Sequence, residues 1–452
     1  MLLHDIADYA VREQTSRLSP EVIHHAKRAV VDWHAGAFPG SRIAPATLLE
    51  QALAEDLDRG RARLMSGRRA TLRAAALING AAAHSVETDD VFRDAGYHPG
   101  APVIAAALAV AQDRGASGEA FLRAIIVGYE VSTRIAEAVM PAHYRYWHVT
   151  GTAGTFGAAA AAATVLGCDR NQFAHAVATA GTFAAGLQQA FQSESMSKPL
   201  HVAHAADSGT LAALAARRGV IGGLDILEGR FGFGNAMGRE ADWSKATREL
   251  GRDYHITRIT FKAHCCCAHS FAAIDGALHL QRQHRFAAAD VRRIAVATYE
   301  AGVNLVGNHR ATTDLEARFS LPYVVAHALV HGGVRLDAFG AERLRDPAVR
   351  DLMQRVAVAA DPQLSRNFPR QRAAKVEIET ADGRTLSHFQ PTRRGDPELP
   401  LTDDDLNAKY LELATPVLGD GAARRLLGEL WRLEQRSDLD LPYGGADRRP
   451  GG

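Results

Sequence analysis

The sequence predicts a mostly helical protein with a smaller α+β unit inserted into a helical domain. The first half of the chain is rich in alanine and repeats apolar residues at helical spacing. Strand-like alternation occurs between residues 264 and 394, and helical patterns return after them. We therefore predict a helical domain built from residues 1–263 and 395–452, with residues 264–394 as the inserted α+β domain.

Helix signals in the first half are caps and small residues. Ser19 and Pro20 suit the N-cap and the first position of a helix. Small apolar residues dominate residues 72–83 and 102–111, which favours helices that pack closely. Glycines at every third position of residues 151–157 favour the same packing, because a dinucleotide fingerprint would need G-x-G-x-x-G after a strand.

The middle of the chain carries the strand signals. Residues 294–298 and 376–380 alternate apolar with small or polar side chains, which predicts two strands. Asp382-Gly383 is a strong turn pair, so residues 385–386 are expected to begin a returning strand. Residues 321–329 predict a helix between these strands.

Helical patterns return after the α+β unit. Thr402 and Asp405 resemble a capping box, with Asp in place of the usual Glu or Gln. The tail at residues 442–452 is rich in Gly, Pro and Arg, which predicts loose structure.

Composition narrows the class of function. The 452 residues are 47% hydrophobic and 23% charged, with a formal net charge of +1. That balance is typical of a globular protein and unlike that of a nucleic-acid-binding protein. We see no secretory signal and no long apolar segment, so we expect a cytoplasmic protein that does not enter a membrane. Cys168 and Cys265–Cys267 lack disulfide or zinc spacing and predict reduced, packed thiols.

Titratable side chains crowd residues 79–100: His84, Glu87, Asp89, Asp90 and His98. Glu87 and Asp90 are three residues apart, which would allow one helical face to hold both. Paired carboxylates shift each other's pKa and can supply a base near neutral pH. A solvated helix end with acidic capping residues is the alternative.

Two further segments place basic side chains beside small residues. His148 precedes an apolar helical pattern and is either a functional histidine or a hydrogen-bonded core histidine. Lys198 precedes Pro199, which predicts a helix entrance, and His201 follows. Lys198 could pair with a substrate carboxylate or act as a base if desolvated. A surface lysine is the alternative.

Three basic side chains lie at the boundary of the two predicted domains: Lys262, His264 and His269. Domain junctions are favoured places for clefts, so these side chains are candidates for a binding site. Tyr323 lies on an apolar helical pattern and could donate a proton to a leaving hydroxyl. A core tyrosine is the alternative.

These segments, taken in order, resemble the motif series of the MmgE/PrpD family. Its members include 2-methylcitrate dehydratase, cis-aconitate decarboxylase and iminodisuccinate epimerase. The resemblance covers nearly the whole chain, and the order of the pieces makes it specific. The matching pieces are the acidic stretch ending in His98-Pro99, His148-x-Thr150-Gly151, Lys198-Pro199-Leu200-His201, residues 227–233, Phe261-Lys262, residues 317–323, Asp382-Gly383 and residues 401–410.

The resemblance implies a large all-helical domain, an α+β lid, a cleft between them and a homodimer. It also implies catalysis without a metal or any other cofactor. The family's active-site positions fall on Glu87, His98, His148, Lys198 and Tyr323. We expect the small anionic polycarboxylate substrate to be bound with help from Asp89, Asp90, His201, Lys262 and His264.

Three positions depart from the family pattern. The family often has Asp where this chain has Glu87, Ser where it has Gly100, and His where it has Phe271. His269 or His264 is the candidate to take over the role of that histidine, and we count His269 among the expected catalytic residues.

The family's reactions share one step, in which negative charge builds on a carboxylate as a proton leaves the neighbouring carbon. Lys198, His98 and His148 would supply cations or donors there. A histidine or Glu87 would be the base, and Tyr323 or a histidine would protonate a departing hydroxyl. We predict a metal-independent lyase that removes water from a 2-methylcitrate-like substrate. The alternatives are an iminodisuccinate-like epimerase, a cis-aconitate-like decarboxylase and a non-catalytic carboxylate-binding protein.

Overall fold

The computed structural model describes residues 1–191 and 195–443, and the chain divides into two compact units. The helical unit comprises Met1–Ile259 and Thr402–Gly452, and the α+β unit comprises Thr260–Leu401. Helix accounts for 60% of the structure and strand for 9%. The predicted mostly helical fold with a smaller α+β region is confirmed. Of the tail predicted to be loose, residues 444–452 lie outside the described residues.

The helical unit takes its helices from both ends of the chain. They are α1 (Leu2–Glu13), α2 (Pro20–Gly40), α3 (Ala46–Ala52), α4 (Leu72–His84), α5 (Gly100–Arg114), α6 (Gly118–Val139), α7 (Val149–Val165), α8 (Arg170–Phe183), α9 (Ser197–Arg217), α10 (Ser244–Thr247), α18 (Asp403–Leu418) and α19 (Asp420–Leu430). The unit also contains a short antiparallel pair, β1 (Leu57–Arg63) and β2 (Arg69–Ala70), which an all-helical prediction did not include.

Caps and small residues explain these helices. The Ser19 side chain accepts a hydrogen bond from the Val22 amide, and Thr402 forms a capping box with Asp405. A Cβ placed on Gly154 would lie 2.7 Å from Pro102 of α5, and one on Gly157 would lie 2.7 Å from Ser132 of α6. Close helix packing around α7 is therefore confirmed, because larger residues would push its neighbours away.

The α+β unit is one mixed sheet with helices around it. Its elements are α11 (Phe271–His284), β3 (Val291–Thr298), α12 (Glu300–Val306), α13 (Asp314–Arg318), α14 (Leu321–His331), α15 (Ala341–Leu344), α16 (Pro347–Gln354), β4 (Val356–Ala360), α17 (Pro362–Asn367), β5 (Ala374–Thr380) and β6 (Thr385–Gln390). The sheet order is β4-β3-β5-β6, in which β4 runs parallel to β3 and the other pairs are antiparallel. The strands and the helix predicted here are confirmed.

Other sequence predictions concern the cysteines and the membrane. Cys168 and Cys265–Cys267 are buried and none forms a disulfide, as predicted. Within residues 1–191 and 195–443, no helix is both long and apolar enough to cross a membrane.

Buried titratable groups make the stability of the helical unit depend on pH. Burial lowers the pKa of a set of histidines to between about 2 and about 4: His34, His84, His143 and His255. Their unfolded forms take up protons as the pH falls below ~6.5, whereas the folded forms do not, so stability is lost from there down to about pH 4. Burial raises the pKa of Asp90 and Glu130 to about 7, which acts in the opposite direction.

The histidines outnumber these two carboxyls, so acid should destabilise the protein. We expect the unfolding midpoint to fall as the pH goes from 6.5 to 5, with a change of at most ~3 kcal/mol per pH unit in the free energy of unfolding. Thermal unfolding followed by circular dichroism across this range measures the change. A midpoint that stays constant or rises would show that these histidines are accessible to protons in the folded state.

Candidate active site

Three helices of the helical unit begin next to one another. His98 lies just before α5, His148 is the N-cap of α7, and Lys198 is the second residue of α9. The His98 amide donates to Thr150 Oγ1 in the first turn of α7 over 3.3 Å, which joins two of these helix starts directly. Helix N-termini carry partial positive charge and unpaired amide groups, so this arrangement favours an anion.

The acidic loop, residues 85–91, supplies the carboxylates. Helix α4 ends at His84, and Glu87 adopts a left-handed conformation with φ of +57°. The expectation that one helical face holds Glu87 and Asp90 is therefore wrong, because the chain leaves the helix before either residue. The loop instead directs the two carboxylates to different partners.

Asp89 lies between two imidazole rings. Its Oδ2 is 2.6 Å from His84 Nδ1 and 3.1 Å from His98 Nδ1, although the second contact is not aligned as a hydrogen bond. A carboxylate oxygen accepts but does not donate, so Nδ1 of neutral His84 carries the proton. The same carboxylate favours a proton on Nδ1 of His98, which leaves its Nε2 as the basic atom.

His148 stands at the centre of the aromatic contacts. Its Nδ1 is 3.1 Å from His201 Nδ1, so one of these two nitrogens carries a proton that the other accepts. The His148 ring stacks on His84 at a centroid distance of 5.6 Å and meets Phe191 edge-on at 5.0 Å. His84 and His98 are also in edge contact, at 5.0 Å. The four imidazoles therefore form one continuous cluster.

Lys198 joins this cluster through Glu87 and Phe191. Its ammonium group forms an ion pair with the Glu87 carboxylate. It also lies 5.7 Å from the centre of the Phe191 ring, within the range of a cation–π contact. The predicted helix entrance is confirmed, and the lysine is largely buried rather than a surface residue.

Burial sets the charge of the cluster. It lowers the pKa of His84 to about 3, although Asp89 acts in the opposite direction. It also holds the pKa of His148 well below its usual value, and the neighbouring imidazoles of His84 and His201 lower it further. Both rings are therefore neutral at pH 7. A polyanion bound beside them would raise both pKa values, so the cluster can take up a proton together with an anionic ligand.

Asp90 has other partners. Its carboxylate accepts hydrogen bonds from the Tyr129 hydroxyl at 2.7 Å and from the Gly100 amide at 3.0 Å, and it is buried. Burial raises its pKa to about 7, although the hydrogen bond from Tyr129 lowers it. These contacts tie the acidic loop to the start of α5 and to α6, which gives Asp90 a structural role. Its predicted part in substrate binding stays a prediction.

Two of the candidate histidines in the α+β unit contact residues of the same unit. His264 Nε2 is 2.9 Å from Asp275 Oδ1, and its ring meets Phe271 edge-on. His269 Nδ1 is 2.7 Å from the Tyr299 hydroxyl, and burial lowers the pKa of His269 to about 3. Lys262 is buried.

The Tyr323 hydroxyl donates to the Ala338 carbonyl within the core of the α+β unit. Burial raises the pKa of this phenol. The proposed catalytic and binding roles of these α+β residues stay predictions.

One group of side chains has the spacing of a metal site. Ligand atoms of His84, Asp89 and His98 all lie within 4.8 Å of one another, and no second group of this kind occurs among the described residues. The hydrogen bond between His84 and Asp89 explains their close approach without a metal.

Two members of the cluster were not among the predicted site residues. His84 belongs to the crowded acidic stretch, but the sequence does not show that its ring lies between Asp89 and His148. Phe191 carries no signal that separates it from a core phenylalanine. Its role becomes visible only from its contacts with His148 and Lys198.

Two models of one protein family match most of this chain. The MmgE/PrpD N-terminal domain matches residues 4–246, and the MmgE/PrpD C-terminal domain matches residues 264–435. The chain therefore belongs to the MmgE/PrpD family, as the motifs indicated.

Three similar proteins carry the name of cis-aconitate decarboxylase or of a protein like it. A cis-aconitate decarboxylase-like protein of Aspergillus oryzae is 28% identical over 461 residues, which cover 96% of this chain and 95% of that protein. Cis-aconitate decarboxylases of Mus musculus and Homo sapiens are each 29% identical over 383 residues, or 81% of this chain. Those alignments cover 77% and 78% of the mouse and human proteins.

Proposed function

We propose that this protein is a lyase that decarboxylates a small unsaturated polycarboxylate of the cis-aconitate type, without a metal. The main support for the proposal is that Lys198, His98 and His148 lie at three adjacent helix starts. Such a site suits a ligand with several carboxylates. The names of the three relatives favour decarboxylation over the dehydration of 2-methylcitrate that the sequence first suggested.

Binding uses fixed positive charge. Lys198 has Glu87 as its partner, and a substrate carboxylate would share or replace that ion pair. Amide groups at the starts of α5, α7 and α9 add partial positive charge. The neutral rings of His84 and His148 become protonated more easily once the anion is present, because its charge raises their pKa.

The chemical step then needs one acid. The bond from a carboxylate carbon to the carbon next to the double bond breaks, and carbon dioxide leaves. The electron pair moves into the allyl system, which is conjugated with a remaining carboxylate, and the double bond shifts by one position. A proton from His148 or His98 adds to the far carbon and completes the product. Lys198 stabilises the carboxylate that carries the developing charge.

Dehydration of a hydroxy-polycarboxylate is the second candidate. His98 supports it, because the contact of its Nδ1 with Asp89 leaves Nε2 suited to remove a proton beside a carboxylate. An epimerase would use the same base together with a second acid. A non-catalytic binding protein would use only the anion site.

A panel of substrates separates these functions. We expect purified protein to release carbon dioxide from cis-aconitate, to leave 2-methylcitrate and iminodisuccinate unchanged, and to keep its rate after treatment with a chelator. An increase in alkene absorbance during incubation with 2-methylcitrate would favour dehydration. A change in optical rotation during incubation with iminodisuccinate would favour epimerisation. A rate that disappears with the chelator and returns with added metal would contradict the metal-independent scheme.

A further inference from the structure

A lysine from the far end of the chain holds the acidic loop. Lys409 lies in α18, and its Nζ donates to the Thr88 carbonyl at 2.6 Å and to Asp32 Oδ1 in α2 at 2.6 Å. All three residues are buried. Thr88 stands between Glu87, which pairs with Lys198, and Asp89, which contacts His84 and His98.

Neighbouring helices hold the rest of this loop. A Cβ on Gly36 of α2 would lie 2.7 Å from Thr88 Oγ1, so the Thr88 side chain sits directly on that helix. Asp90 is held by Tyr129 of α6 and by the amide of Gly100. Thr88 and Asp90 thus anchor the loop to helices, while Glu87 and Asp89 contact the basic side chains of the site.

These contacts hold Glu87 in its left-handed backbone conformation. A residue with a side chain is disfavoured in this conformation and persists where surrounding contacts impose it. The charged hydrogen bond from Lys409 to the next residue's carbonyl is such a contact, and charged donors form stronger hydrogen bonds than neutral ones.

We propose that Lys409 is a positioning residue that fixes the acidic loop, and so sets the place of Glu87 and Asp89 in the site. The consequence for turnover rests on the lyase proposed above. The consequence for the loop does not, because the contact exists whatever the reaction. Displacement of a catalytic group by about 1 Å can lower a rate about a hundredfold.

Helix α18 has other attachments that do not involve Lys409. Arg28 of α2 forms an ion pair with Asp403, and His24 lies 3.0 Å from the same carboxylate. Buried Leu406, Tyr410 and Leu413 face the core. Removal of the Lys409 charge should therefore loosen the acidic loop without releasing the helix.

The test replaces both buried charges together. Asp32→Leu with Lys409→Met removes the ion pair without leaving a lone charge in the core. We expect amides of residues 86–91 to exchange with deuterium about tenfold faster, while amides of α18 keep their protection. With cis-aconitate, kcat should fall about tenfold to a hundredfold, and KM should change much less. Lys409→Gln serves as a second, single variant.

A matched pair provides the control. Lys27 Nζ likewise donates to a backbone carbonyl, that of Trp431, at 3.1 Å and to Glu434 at 2.9 Å, away from the cluster. Lys27→Met with Glu434→Leu should leave exchange in the acidic loop and turnover unchanged. All variants are compared at the same distance below their own unfolding midpoints.

Unchanged exchange in the acidic loop would overturn the positioning role, and so would equal loosening of the loop and α18. If neither Lys409 variant folds, the ion pair of Lys409 with Asp32 stabilises the core, and the positioning role is overturned as well. If the parent protein turns over none of the substrates, faster exchange in the variants would still support the positioning role of Lys409. The missing turnover would then count only against the proposed lyase.

Discussion

Replacement of Lys198 by alanine should lower kcat/KM for cis-aconitate by about 10²–10³-fold. The ammonium group is the fixed cation of the cluster, and its partner Glu87 cannot bind a carboxylate. Without it, the developing negative charge loses this cationic partner, and the rings of His84 and His148 are neutral before the ligand binds. Steady-state kinetics with the purified variant measures the loss.

Lys375→Ala is the control for this variant. Lys375 pairs with Asp361 at 2.6 Å on the surface of the α+β unit, so its loss should not alter the rate. Circular dichroism should show that both variants are folded. If Lys198→Ala turns over cis-aconitate at the rate of the parent protein, the role assigned to Lys198 in the site is wrong.

His148→Ala should lower kcat by about 10²–10⁴-fold, the range expected when a general acid or base is lost. The ring contacts His84, His201 and Phe191, and it lies at the start of α7. The His148 side chain does not form a capping hydrogen bond, so its removal should leave α7 intact. Single-turnover kinetics separates this chemical effect from an effect on binding.

A buried histidine outside the cluster is the matched control. His34 bonds to the Val30 carbonyl at 2.8 Å and to the Tyr443 hydroxyl at 3.1 Å. His34→Ala should lower the unfolding midpoint, because it removes buried contacts, but should keep kcat. If the two histidine variants lose the same fraction of activity, the loss reflects stability and His148 has no special role.

Local patterns were enough to predict most of the fold. Capping residues, glycine spacing and strand alternation depend on neighbours in the sequence. They indicated the cap at Ser19, the packing around Gly154 and residues 294–298 of β3. The short pair of β1 and β2 was missed because its second strand has two residues and no alternation to detect.

The site was harder to predict because its geometry depends on distant residues. Motifs indicated His98, His148 and Lys198, but not that α4 ends before Glu87, nor that Lys409 reaches Thr88 across the helical unit. Burial is the main cause of the low pKa of His148, and burial cannot be read from a single histidine in a sequence. The lid role of the α+β unit, the homodimer, the cytoplasmic location and catalysis without a metal stay predictions.

Calorimetric titration with tricarballylate tests the anion site most directly. This tricarboxylate has no carbon–carbon double bond and no hydroxyl group, so it can bind without reacting. Performed in two buffers of different ionisation enthalpy, it should give one bound ligand per chain and uptake of protons from the buffer. The same titration of Lys198→Ala should show affinity at least about tenfold weaker, the equivalent of ~1.4 kcal/mol. Absence of binding, or equal binding by both proteins without proton uptake, would contradict a polycarboxylate site at the starts of α5, α7 and α9.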